Sequence, residues 1–164
     1  MAIALYTGLM GCGKSYSAIE NVLIPSLKEG RTIVTNVVLV KSVIYEEFPD
    51  ANIITLPDQI EYSERDKYFN LDFYPAGSLY IIDECGELFP SGEKQNQVSQ
   101  FVKQFFTKHR HSVGQSGLSS EILLMTQRPE QLASWLRTLV DTQYHHEKLD
   151  KHGLKNQFRC DMYN

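Results

Sequence analysis

The sequence is poor in cysteine. Cys12, Cys85 and Cys160 are few, odd in number and widely spaced. That excludes a disulfide framework, matches no zinc-ligand spacing, and points to a reducing compartment. Long hydrophobic runs are missing too. No stretch of 18 apolar residues exists, so no segment of this sequence is expected to span a bilayer. The start, MAIALYTGLMG, is too short and too uncharged for a signal peptide. Positive charge is scarce. Sixteen lysines and arginines stand against 20 acidic residues, a formal net charge of −4. A uniformly basic nucleic-acid binder is thereby excluded, although a small basic patch would leave the balance unchanged. Repeats and low-complexity tracts are lacking. The final residues, RCDMYN, carry neither a helical cap nor a polar tail, so a longer parent chain is expected.

What is present is ordinary globular composition, with 42% hydrophobic and 22% charged residues over 164 positions. That fits one domain with a real core. Ala2–Tyr6, Leu79–Ile82 and Glu121–Met125 are short apolar runs that end on polar residues, as strands buried on both faces do. Arg31–Val40 reads as a further strand bent at Asn36. Ser15–Leu27 places Ala18, Ile19, Val22 and Leu23 at helical spacing, with Pro25 expected to break or kink its end. Gln97–His109 and Pro129–Val140 read as helices. Their apolar faces are Val98, Phe101, Val102 and Phe105 in one, and Leu132, Trp135, Leu136 and Leu139 in the other. Residues 42–72 are irregular, with a weak strand at 53–55. Arg110–Ser120 reads as a mobile loop rich in glycine and serine. Thr142–His146 and Asn156–Met162 suggest a C-terminal β-hairpin (142–162) around Gly153. Alternating strands and helices predict an α/β fold over one domain, 1–164.

The strongest chemical signal is Gly8-Leu-Met-Gly-Cys-Gly-Lys14-Ser15, which fills the pattern G-x-x-x-x-G-K-[ST] between a strand and a helix. Glycines let backbone N–H groups turn inward around phosphate oxygens, and the following helix aims its positive end at the same anion. Gly8, Gly11, Cys12, Gly13, Lys14 and Ser15 are therefore the expected ATP-binding residues, with Cys12 contributing its backbone. Lys14 reaches the β and γ phosphates, and Ser15 offers its hydroxyl to Mg²⁺.

The second signal is Leu79-Tyr-Ile-Ile-Asp83-Glu84. An aspartate ending a buried strand suits Mg²⁺, and the adjacent glutamate suits a general base toward the attacking water. The adjacent acid favours an ATPase of the class with an additional strand beside the phosphate-loop strand. The expected fold is then the P-loop NTPase three-layer sandwich with a mostly parallel sheet. The third signal is Ile122-Leu-Leu-Met-Thr126-Gln127, where Gln127 could bond the γ-phosphate or the water, with Thr126 behind it. Among the arginines, Arg110, Arg128 and Arg137, the first choice for a finger inserted into a neighbouring subunit's site is Arg110, although a surface salt bridge explains each equally well. His109-Arg110-His111 beside Lys108 could touch nucleic-acid phosphate. A metal site drawn from His109, His111, His145, His146 and Cys85 matches no ligand spacing. Asn36 could approach the nucleotide.

YTGLMGCGKS at 6–15, TNV at 35–37, YIIDECGELFP at 80–90, KHRHSVG at 108–114 and LMTQRPEQLASWLR at 124–137 together resemble the zonular occludens toxin family, the assembly ATPases of filamentous bacteriophages. The resemblance covers nearly the whole chain. It implies the cytoplasmic domain of a host inner-membrane protein, anchored through a segment this sequence does not contain. It also implies homo-oligomers working with the phage export machinery and an outer-membrane channel, with phage DNA as a further contact. By the same resemblance Gly86 and Pro90 belong to the segment after the acidic pair, and Arg110 and His111 to the basic stretch. In place of the family's short Gly-Asp link, this chain has SVGQSGLSSE at 112–121. Two other functions fit the motifs: a small-molecule kinase, against which the scarcity of arginine in 108–128 speaks, and a non-catalytic nucleotide-binding scaffold.

Overall fold

The computed structural model describes residues 3–152, 154 and 157–163. Its seven strands are β1 (Ile3–Thr7), β2 (Ile33–Thr35), β3 (Ile53–Thr55), β4 (Leu79–Ile82), β5 (Glu121–Met125), β6 (Thr142–Lys148) and β7 (Phe158–Tyr163). They form one sheet in the order β3-β2-β4-β5-β1-β6-β7. All neighbours pair in parallel except β6 and β7, which are antiparallel. As expected, β5 lies between β4 and the phosphate-loop strand β1.

The apolar runs are continuous because both faces of the central strands are covered. Ile3, Leu5, Tyr80, Ile82, Ile122 and Leu124 face one core, with Val102, Phe105, Phe106 and Leu136. Ala4, Tyr6, Leu79, Ile81, Leu123 and Met125 face the other, with Ala18, Val22, Leu23 and Leu27. Period-two alternation thus builds three layers from strands that look uniformly greasy in sequence.

Local expectations held or failed for identifiable reasons. The helix after the phosphate loop does not break at Pro25. It runs as α1 (Lys14–Ala18), a π turn (Ile19–Leu23) and α2 (Ile24–Lys28). Proline lacks an N–H and its ring crowds the carbonyl four residues back, and the wider π turn just before it absorbs that conflict. A short helix, α3 (Lys41–Glu47), follows β2, which stops at Thr35.

The irregular segment continues into α4 (Arg65–Tyr68), and α5 (Cys85–Leu88) follows β4. Arg65 ties these two regions together. Its guanidinium bonds Glu93 at 2.8 and 3.1 Å and the Leu88 carbonyl at 2.9 Å, and it lies 3.7 Å from the Tyr62 ring centroid.

Helix α6 (Gln100–Lys108) starts later than its periodicity suggests, because Ser99 caps it and accepts the Val102 N–H at 3.3 Å. Phe101 is consequently exposed, and Phe106 takes the expected core position. Pro129–Val140 is not one helix. Leu132 bridges Pro90, and the Ala133 N–H donates to the Phe89 carbonyl at 2.8 Å, so only α7 (Ser134–Arg137) is α-helical.

The expected mobile loop after Arg110 is hydrogen-bonded into the fold. Val113 bridges Ser119, and Gly77 N–H donates to the Ser112 carbonyl at 3.0 Å. The hairpin strands are present, while its expected turn at Gly153, and Ala2 and Asn156 at the starts of two expected strands, lie outside the described residues.

Candidate functional site

β1 delivers the chain to the loop Gly8–Ser15, which is anchored by Gly8 N–H donating to the Gln127 carbonyl at 3.0 Å. The anchor places the end of β5 directly beside the loop. Gly8 has φ 139°, and a Cβ there would lie 2.3 Å from the His146 carbonyl oxygen and 2.5 Å from Cys12 Sγ. No other residue fits. Cys12 is buried, so its thiol fills the inside of the loop while its backbone forms the rim.

Lys14 is buried and its ammonium donates to the carbonyls of Gly8 at 2.6 Å and Leu9 at 3.3 Å. Those acceptors hold the charge over the mouth of the loop, where phosphate oxygens would compete for it. Ser15 begins the exposed side of α1.

β4 brings Asp83 and Glu84 to the same end of the sheet. Asn36, at the end of β2, grips the backbone of Asp83 from both sides. Its Oδ1 accepts the Asp83 N–H at 2.7 Å and its Nδ2 donates to the Asp83 carbonyl at 3.1 Å. Thr35 adds a bond to the Ile81 carbonyl at 2.7 Å. Asp83 Oδ1 accepts the Glu84 N–H at 2.9 Å, which fixes the plane of its carboxylate.

Glu84 is the one non-glycine residue of the described chain with positive φ, at 49°. This left-handed conformation costs free energy and clusters at working sites. Its carboxyl pKa is raised, first by partial burial and then by the charge of Asp83, while Lys14 and a hydrogen bond with Gln127 pull the other way. Lys14 and Gln127 thus each act on the Glu84 carboxyl. Gly86 lets α5 (Cys85–Leu88) lie close to the end of β5, since a Cβ there would lie 2.9 Å from Thr126 Oγ1. Thr126 turns away from the loop to bond Gln131 at 3.1 Å.

One cleft lies beside the acidic pair and another borders the loop. The first, of about 330 Å³, contains Asn36, Asp83, Glu84 and Glu87, with Asp58 and Glu61 opposite. The other, of about 370 Å³, is lined by Leu9, Cys12, Gln127, Arg128, His146 and Lys148. The cleft beside the acidic pair is thus lined by carboxylates, while the one at the loop carries Arg128 and Lys148 together with Glu147. Ser15 and Asp83 are hard oxygen donors of the kind Mg²⁺ takes together with water and phosphate oxygens. Among the described residues no group of three or more His, Cys, Asp or Glu is arranged for a metal, so the histidine–cysteine alternative finds no support there.

Arg110 is elsewhere. Its guanidinium pairs with Asp141 Oδ1, and Asp141 Oδ2 accepts the Ile3 N–H at 2.8 Å. That is the first residue of β1, whereas the loop leaves the last. About 13 Å of strand, at ~3.3 Å per residue, separates them. Arg110 therefore stands at the opposite end of β1 from the chain's own loop. Its exposed side chain faces outward instead. Of the three arginines weighed, Arg128 lines the cleft beside the loop. His109 is buried with Nδ1 on the Phe106 carbonyl at 2.9 Å, so the basic stretch is not one continuous outward patch.

Sequence reasoning missed the double grip of Asn36 on Asp83, the packing of His146 under Gly8, and the Arg65–Glu93 pair. The run Thr35-Asn36 hinted at the first, because a polar pair interrupts a β-branched strand. Nothing in sequence spacing signals the other two.

The family model of zonular occludens toxin (Zot) matches residues 2–164. No curated protein matches the chain. Among solved structures, the N-terminal domain of zonular occludens toxin from Neisseria meningitidis superposes with a TM-score of 0.63 at 23% identity, covering 99% of this chain and 83% of that one. The genome packaging NTPase B204 from Sulfolobus turreted icosahedral virus 2, in complex with AMPPCP, gives 0.60 at 18% identity over 99% and 97% of the two chains. The pCW3 conjugation coupling protein TcpA gives 0.52 at 17% identity, over 92% of this chain and 50% of that one. At these identities the likeness speaks for a shared P-loop NTPase fold. No helix among the described residues is long and apolar enough to cross a membrane.

Proposed function

The chain belongs to the zonular occludens toxin family, and on that premise we propose that it is an ATPase domain that binds ATP with Mg²⁺ at Gly8–Ser15 and hydrolyses it. The observation that supports this is the convergence at one end of the sheet of the Lys14 loop with the ends of β4 and β5, the Gly8 N–H donating to the Gln127 carbonyl at 3.0 Å and Glu84 held in a costly backbone conformation. B204, a genome packaging NTPase, has been captured with ATP-gammaS and AMPPCP on the same fold, which supports the choice of nucleotide.

Ser15 and Asp83 would hold Mg²⁺, which would neutralise charge on the β and γ phosphates. Lys14 exchanges its loop carbonyls for phosphate oxygens and keeps the same charge against them. Gln127 orients a water, Glu84 accepts its proton, and the water oxygen bonds the γ-phosphorus. The bridging oxygen then leaves with ADP. Positioning and fixed charge do most of the work in such a transfer. A carboxyl with a raised pKa is a better proton acceptor than an ordinary one.

The wider role follows the family: the cytoplasmic part of a host inner-membrane protein, oligomeric, driving assembly and export of a filamentous phage with an outer-membrane channel. Arg110, outward-facing and remote from its own loop, would then serve a neighbouring copy. Phage DNA is a candidate cargo, and membrane attachment would come from a segment outside this sequence.

The test is phosphate release from ATP and Mg²⁺ by the purified chain across protein concentrations, with Lys14→Ala as control. Turnover that rises faster than protein and disappears in the control is expected. Bound ATP without turnover at any concentration would move the assignment to a nucleotide-dependent scaffold.

A further inference from the structure

The proposed roles of Glu84 and Gln127 give the bound nucleotide a direction. If they face the γ-phosphate, the triphosphate points toward β4 and β5, on one side of β1 in the sheet. The sugar and base must then leave the loop on the other side, toward β6 and β7. One side chain stands where they would pass. Phe158, at the start of β7, has its ring against Gly13, the last glycine of the loop. A Cβ built on Gly13 would lie 3.2 Å from Phe158 Cδ1 and 3.4 Å from Cγ.

Register fixes the face on which this ring stands. Phe158 pairs with Lys148 and Cys160 with His146, so Phe158 and Cys160 project to the same side of the sheet. Cys160 shares a groove there with Tyr6, Ser17 and Val22, which is the side covered by the helix that leaves the loop. The ring therefore borders both the loop and the beginning of that helix. It is about half exposed, at 48%, although a phenylalanine in an edge strand gains nothing from water.

The geometry points to Phe158 as the platform on which the base of the bound nucleotide stacks. This rests on the ATP-binding assignment above and extends it to recognition of the base. A phenyl face offers stacking without hydrogen-bond readout. It distinguishes ring size, so purines should be held more tightly than pyrimidines, and adenine and guanine nearly alike. Gly13 lets the ring approach closely enough to meet a base whose phosphates are already in the loop.

The test compares wild type, Phe158→Ala and Phe158→Trp for binding of ATP, ADP and inorganic tripolyphosphate. Phe158→Ala should weaken ATP and ADP alike, by about tenfold, and leave tripolyphosphate unchanged. Phe158→Trp should keep ATP affinity, and its added fluorescence should change with ATP but not with tripolyphosphate. The native Trp135, being buried on the opposite core, supplies a constant background. Unchanged ATP affinity in Phe158→Ala would overturn the platform and leave the ATP assignment standing. Equal loss of ATP and tripolyphosphate would also overturn it, by showing that the ring only props the loop through Gly13. If wild type bound neither ATP nor tripolyphosphate, the phosphate-loop assignment itself would fall, and the platform with it.

Discussion

Two charged clusters in this molecule are built in opposite ways. Around Arg65 everything is closed: Glu93 takes two of its nitrogens, the Leu88 carbonyl takes another bond, Tyr62 bonds Glu93 through its hydroxyl, and both ionic side chains are almost fully buried. Around Glu84 the charges of Asp83 and Glu87 repel its own while Lys14 pulls the other way, its backbone is strained, and its carboxyl is pushed toward the neutral form, first by partial burial. The first cluster is satisfied by its own members. The second keeps repulsion and strain that a structural pair would have relaxed. Buried charge that closes on itself holds segments together, and charge that converges without cancelling is what a charged substrate can complete.

The largest test of that contrast is Glu93→Ala. It leaves Arg65 buried without its partner and should cost about 3–5 kcal/mol of stability in denaturant unfolding. An effect below 1 kcal/mol would mean that water reaches the cluster and that it is not closed.

Glu84→Gln should do the reverse. Hydrolysis should fall by about 10²–10³-fold with ATP binding retained, and stability should not fall. Glu84→Gly should raise stability by about 0.5–1 kcal/mol, because glycine adopts positive φ without strain. If Glu84→Gly proves less stable than wild type, the strain assigned to this position is absent.

The pH dependence has two opposed signs. With Glu84 as the proposed proton acceptor, turnover should fall as pH drops through a value above the ordinary glutamate pKa of 4.5. The same raised pKa means that the folded state holds this proton more tightly than the unfolded one. Its contribution to stability is present below the unfolded value and lost as pH rises through the folded one. An acid limb of the pH–rate profile that is the same in Glu84→Asp and Glu84→Gln would assign the limb to another group.

Asn36→Ala removes both bonds to the Asp83 backbone. It should cost about 1–2 kcal/mol and lower kcat more than it raises KM for ATP, since it lets the catalytic strand end drift. A stability loss with kcat intact would reduce Asn36 to a strand clamp.

The smallest stability effect belongs to the outward pair. For Asp141, burial alone would raise the pKa, but hydrogen bonds from Arg110 and the Ile3 N–H outweigh it and hold the carboxyl below its usual value. Its contribution is present above the unfolded pKa and lost as pH falls through the folded one. Arg110→Ala should change stability by less than ~1 kcal/mol. A large loss of turnover that appears only at protein concentrations where copies associate would mark it as acting on a neighbour.

The fold was largely legible because its signals are local. Leu79–Ile82 and Glu121–Met125 were read as buried strands from their unbroken apolar runs, and both strands have those bounds. The phosphate loop, the acidic pair and Gln127 stand out in the sequence because each sets a fixed residue type at the end of a strand. Failures came where a distant partner overrode local preference. Pro129–Val140 has a helical pattern, yet Phe89 claims the Ala133 N–H. Phe101 fits the periodicity of α6 but lies outside the core.

By itself, then, the sequence determined the phosphate-loop pattern: strand ends, glycines and a lysine are specified within a few residues of one another. Only the tertiary structure decided where the rest of the chemistry stands. Strand order put β5 beside β1 and brought Gln127 to Glu84. It left Arg110 at the far end of β1, and it carried Phe158, 145 positions after Gly13, back against the loop. Such neighbours are fixed by sheet order and hydrogen-bond register, which are cooperative properties of the whole core and leave no mark in the spacing of any one segment.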